Sequence, residues 1–193
     1  MKKIAVLIDG GFLRASAHKA RKHYNPEFIE AFAYRCQVAG EEIHRILYYD
    51  CAPYVGTASH PVSGTPCEFK GSDAWLNELS RKDLFAVRRG VLKFRGFKPK
   101  RIPVSAAALT DADFKPDFEQ KGVDMRIGLD IASLCQSRSV DRIVLVSGDT
   151  DCVPATKHGR KAGLQVVLIE LPNCELAPEL LSHADFKRCV TWP

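Results

Sequence analysis

The chain opens with a continuous apolar run, Ile4-Ala5-Val6-Leu7-Ile8, rather than with alternating apolar and polar positions. Unbroken runs of this kind predict strands covered on both faces, as in parallel sheets flanked by helices. Ile43–Tyr49, Arg142–Val146 and Leu164–Ile169 are of the same type. Between them the apolar period lengthens to that of a helix. Phe12 to about His23 sets Arg14, His18, Lys19 and Arg21 on a polar side. Phe28, Ile29, Phe32 and Cys36 recur at helical spacing behind Asn25-Pro26, a good cap followed by a proline tolerated in the first turn, and Gly40 ends that helix. Further helices are predicted over Ser72–Val87, over the face Val123, Ile127, Ile131 and Leu134, over Asp151–Ala162 before Gly163, and near Leu176–His183.

Val91–Phe97 alternates, which predicts a half-buried strand, and a terminal strand is expected near Phe186–Val190. Ala52–Gly71 and Lys98–Gln120 hold several prolines and show no period, so both are expected to be irregular. Strands separated by helices imply parallel pairing with helices on both faces. The expected fold is α/β, a three-layer α/β/α Rossmann-like sandwich with a mainly parallel central sheet. Its 193 residues suit one domain, 1–193.

Composition leaves this picture unchanged: 46% hydrophobic and 26% charged residues fit a globular chain. Asp9 stops the first apolar run short of the ~7–15 residue core of a secretion signal. No apolar stretch approaches the ~20 residues of a membrane span, so a cytoplasmic protein is expected. Seven scattered cysteines, never spaced as Cys-x-x-Cys, read as reduced and mostly buried thiols. Cys51, His60 and Cys67 lack the tight pairing of a structural zinc site.

Charge does change the picture. Between Arg81 and Arg101 nine basic residues face one acid, Asp83, so this segment carries +8 in a chain of net +5 and the other 172 residues sum to −3. Phe94 and Phe97 are interleaved with the cations. Such a stripe fits RNA, with cations on phosphates and rings on unpaired bases, or else a solvated face whose phenylalanines point inward.

Four aspartates sit where apolar runs give way. Asp9 closes the first strand, Asp149 and Asp151 follow Ile143–Val146 across Ser147-Gly148, and Asp124 begins a helix. In an open parallel sheet these positions gather at one edge, where ligands bind. Carboxylates crowded there repel one another unless a divalent cation neutralises them. Each also has a structural reading, as turn, cap or first-turn acid. Asp130, beside Ile127 and Leu134, is expected to be partly buried with a partner such as Lys121, an arginine or a backbone donor, in a supporting role. No P-loop or dinucleotide-binding glycine pattern is present. A haloacid-dehalogenase-type phosphatase would need a second aspartate where Gly11 stands.

These residues carry a resemblance. Leu7-Ile8-Asp9-Gly10, Lys121-Gly122-Val123-Asp124 with Asp130, and Val146-Ser147-Gly148-Asp149-Thr150-Asp151 resemble the NYN domain family, a PIN-like nuclease group that includes the bacterial LabA-type proteins. The resemblance implies a PIN-like sandwich, a divalent-metal site and RNA cleavage. Carried over, the metal-binding and catalytic residues fall on Asp9, Asp124, Asp149 and Asp151. Members often have asparagine three residues after the first aspartate; here it is Phe12.

The expected function is therefore a nuclease hydrolysing RNA with Mg²⁺ or Mn²⁺. Ser147, Thr150 and Lys121 would orient water or contact phosphate. Arg14, Arg88, Arg89, Lys93 and Arg95 would hold the RNA backbone. Expected partners are RNA and a second copy of the chain, with no membrane. The alternatives are a non-catalytic RNA-binding module and a metal-dependent phosphatase for a small molecule.

Overall fold

The first apolar run becomes the middle strand of the sheet. In the computed structural model, which describes residues 1–104 and 108–193, β1 (Lys2–Asp9) has Ile4 through Ile8 fully buried. It leads into α1 (Gly10–Lys19), α2 (Pro26–Arg35) and β2 (Glu41–Cys51). Asn25 caps α2 as its sequence suggests, its side-chain oxygen accepting the Phe28 N–H at 2.8 Å. Then come β3 (Gly56–Ser59), β4 (Pro66–Phe69), α3 (Ala74–Leu79), β5 (Phe85–Pro99) and β6 (Phe114–Lys121). The last third runs α4 (Val123–Ser137), β7 (Arg142–Val146), α5 (Val153–Lys161), β8 (Gln165–Glu170), α6 (Pro178–Ser182) and β9 (Phe186–Cys189). Seven strands are hydrogen-bonded in the order β6-β5-β2-β1-β7-β8-β9. The pairs β1–β2, β1–β7, β7–β8 and β8–β9 are parallel, so the fold is the expected α/β one with a mostly parallel sheet. Among the described residues no helix is long and apolar enough to cross a membrane.

The chain divides into two compact units. The first comprises Met1–Asp50, Ala74–Arg89 and Gly122–Pro193; the second comprises Cys51–Asp73 and Gly90–Lys121. In the first, the helix expected over Ser72–Val87 ends at Leu79. Leu84 takes a left-handed φ of 65°, its carbonyl accepts the Ile46 N–H, and Phe85 starts β5. Pairing with β2 overrides the helical spacing there.

The second unit corrects both expected irregular stretches. Ala52–Gly71 contains the antiparallel pair β3–β4, and Lys98–Gln120 contains most of β6, which pairs antiparallel with β5. A β-bulge between Phe94 and Gly96, with Gly96 at φ +105°, puts one extra residue into β5. Strict alternation would send Phe94 and Phe97 to opposite faces. The bulge brings them together instead, ring centroids 5.3 Å apart. They form one half-buried cluster with Tyr54, Phe69 and Phe118, packed on one another rather than standing singly on the surface.

Candidate functional site

Strand register gathers the acids. β1 and β7 are paired Ile8↔Val146, so Asp9 and the segment Ser147–Asp151 leave the sheet at the same edge. Asp9↔Tyr49 in β2 brings Asp50 there as well. Asp50 was not anticipated, although it ends an apolar strand as Asp9 does.

Capping then fixes the carboxylates. Asp9 is the N-cap of α1 and accepts the Phe12 N–H at 3.1 Å. Asp149 caps the 3-10 turn Thr150–Cys152, accepting the Asp151 N–H at 2.9 Å, while its own N–H donates to Ser147 Oγ at 3.1 Å. Asp124 lies in the first turn of α4. Asp124, Asp149 and Asp151 each present an oxygen within 4.8 Å of the others, the only group of three or more such ligands found among the described residues. Cys51, His60 and Cys67 form no such group. Asp9 stands outside the trio but within its field. Burial, with the charges of Asp124 and Asp50, pushes its pKa up to about 6 against the opposing Phe12 and Gly11 N–H groups. Burial and the neighbouring charges of Asp149 and Asp151 also raise Asp124.

Phe12 packs on Gly148. A Cβ at Gly148 would lie 2.5 Å from the Phe12 ring, so the contact requires glycine. Cys152 follows Asp151, its thiol directed at Ser147 Oγ, and burial pushes that thiol up to about 12. It is protonated at neutral pH and is no nucleophile.

Several expected contact residues are engaged elsewhere. Ser147 is fully buried and its hydroxyl holds the Asp149 backbone, so it cannot face a phosphate. Lys121 pairs with Glu119. Thr150 is exposed at the turn. Asp130 accepts from Arg88 Nε at 2.9 Å and from Tyr49 Oη at 2.9 Å. That gives the partly buried carboxylate the arginine expected there and commits Arg88, itself partly exposed, to this pair. Arg14 forms a two-pronged pair with Asp50, at 2.7 and 3.1 Å. Arg89 bonds Asn77, and Arg95 lies 3.4 Å from Glu119. Lys93 is exposed and has no ion-pair partner among the described residues.

The trio fits a hard divalent cation. All its donors are carboxylate oxygens, they converge, and their mutual repulsion falls when a positive charge is bound.

No curated protein matches the sequence. Among solved structures, a Vibrio parahaemolyticus protein of unknown function has the same fold, with a TM-score of 0.55 at 18% identity over 97% of this chain and 92% of that one. The NYN domain profile matches residues 3–188. With nearly its whole length matched, the chain belongs to the NYN domain family of PIN-like nucleases.

Proposed function

We propose that the protein is a divalent-metal-dependent ribonuclease hydrolysing RNA phosphodiester bonds at its acidic edge. The observation that carries this reading is the convergence of Asp124, Asp149 and Asp151 within 4.8 Å in an NYN-family chain. These three would hold Mg²⁺ or Mn²⁺, with Asp9 adding its charge from the end of β1. A cation bound there supplies Lewis-acid polarisation of a phosphoryl oxygen and a lowered pKa for an attacking water. The chain's own residues supply the frame. Ser147 and the Asp151 N–H hold Asp149 in its turn, and Arg88 with Tyr49 anchors α4 through Asp130, which steadies Asp124. Lys93, exposed on β5, would contact RNA phosphates, joined by Arg89 and Arg95 where their present bonds exchange.

A labelled single-stranded RNA incubated with Mn²⁺, Mg²⁺ or chelator tests this. Wild type is expected to cut with either metal and not with chelator. Asp149→Asn keeps the cap, since asparagine also accepts the Asp151 N–H. It is expected to bind RNA yet cut roughly 100-fold more slowly. Cleavage at the wild-type rate by Asp149→Asn would sink the assignment.

A further inference from the structure

Asp50 ends β2 one residue beyond the register partner of Asp9, and its side chain is fully buried. A carboxylate in that position needs partners. Arg14 supplies two, its terminal nitrogens lying 2.7 and 3.1 Å from the two oxygens, and Tyr48 Oη donates at 3.0 Å. Tyr48 shares a 2.6 Å hydrogen bond with Tyr24, whose hydroxyl also reaches the Gly10 carbonyl at 3.4 Å. Gly10 is what permits this approach: a Cβ there would lie 2.4 Å from Tyr48 Oη and 2.8 Å from Asp50 Oδ2. The network thus ties the head of α1, directly after Asp9, to the end of β2.

The two partners of this pair differ in exposure. Here Asp50 is 0% exposed while the Arg14 side chain is 33% exposed. A guanidinium carries five N–H donors in a rigid fork, and the grip on Asp50 takes two of them. Arg14 makes no other hydrogen bond among the described residues. Three donors are therefore left over, on a group whose orientation is fixed by Asp50, one residue past the register partner of Asp9. Asp50 also balances the charge of Arg14, so the fork acts through directed hydrogen bonds rather than net attraction.

We propose that Asp50 is a positioning residue and that it aims Arg14 to bind a single RNA phosphate next to the acidic cluster. The subsite rests on the ribonuclease reading, and sets the register of the strand against the site. The test is RNA binding in chelator, followed by fluorescence anisotropy of labelled single-stranded RNA. The double variant Arg14→Gln/Asp50→Asn removes the fork without changing net charge, and Arg14→Lys keeps the charge balanced while removing the fork. Both are expected to bind about tenfold more weakly, with salt dependences parallel to wild type, because the lost contact is a charge-assisted hydrogen bond. In Mn²⁺ both are expected to spread cleavage over neighbouring positions. If the double variant melts early, Arg14→Lys carries the same comparison. Wild type that binds and cuts RNA, with folded variants binding as tightly and cutting at the same position, overturns the subsite alone. Wild type that neither binds nor cuts overturns the ribonuclease reading, and the subsite with it.

Discussion

Asp9 gives an oxygen to the Phe12 N–H, yet burial and the charges of Asp124 and Asp50 lift its pKa to about 6 from an ordinary 3.8. The folded chain therefore holds this proton more tightly than the unfolded chain does. Stability from this group is highest below pH 3.8 and falls as pH rises to about 6. Above that window the charged form costs roughly 3 kcal/mol. Asp9→Asn keeps a capping oxygen and loses the charge. It is expected to be more stable than wild type at pH 7.5 by about 1–3 kcal/mol, with the gap closing below pH 4 in denaturant melts. A gap equal at both pH values would show that ionisation is not its source. The aspartates that follow apolar runs were legible because a charged residue at a buried strand's end stands out. Asp50 was missed because Tyr48-Tyr49 ends the apolar run with hydroxyl-bearing rings, and those hydroxyls proved to be part of its support. The engagements of Arg14 and Arg88 depend on residues 36 and 42 positions away, a separation that no local pattern displays.

At the scale of elements, strands buried on both faces announced themselves: β7 has the bounds read from its sequence, and β1 and β8 lie close to theirs. β3 and β4 are four residues each and alternate between half-buried and exposed positions, so they carry no apolar run. β6 contributes few apolar residues, among them Phe114 and Phe118. These elements are held by rings assembled from separated segments, a signal visible only once the chain has folded. Phe94 has neighbouring rings from Tyr54, Phe69, Phe97 and Phe118. Phe94→Leu is accordingly expected to lower unfolding stability by about 1 kcal/mol and to leave RNA affinity within about twofold. Weakened RNA binding at unchanged stability would return the ring to the nucleic-acid surface.

Over the whole molecule, the basic stripe is less bare than its sequence suggests. β6 sets Asp117 against Lys98 and Glu119 near Arg95, cross-strand pairs that offset part of the +8, and Glu119 also pairs with Lys121 on its own strand. Lys82 is drawn to Glu30, and Arg88 to Asp130. Reversing Arg88 would disturb the support of α4, so it is a poor probe of binding. Lys93 forms no ion pair among the described residues, though it faces Glu119 across the β5–β6 ladder, and it is the better probe once folding of the variant is checked. Lys93→Glu is expected to weaken RNA binding and to reduce the slope of log affinity against log salt by about 0.7 or more, the share of one single-strand phosphate contact. An unchanged slope would remove this part of β5 from the binding surface. The ring of Phe12 against Gly148 limits what the edge of the sheet can tolerate. Any side chain at residue 148 would have to displace that ring from the first turn of α1, the helix that Asp9 caps. The turn bearing Asp149 can therefore approach α1 as it does only behind a residue with no Cβ.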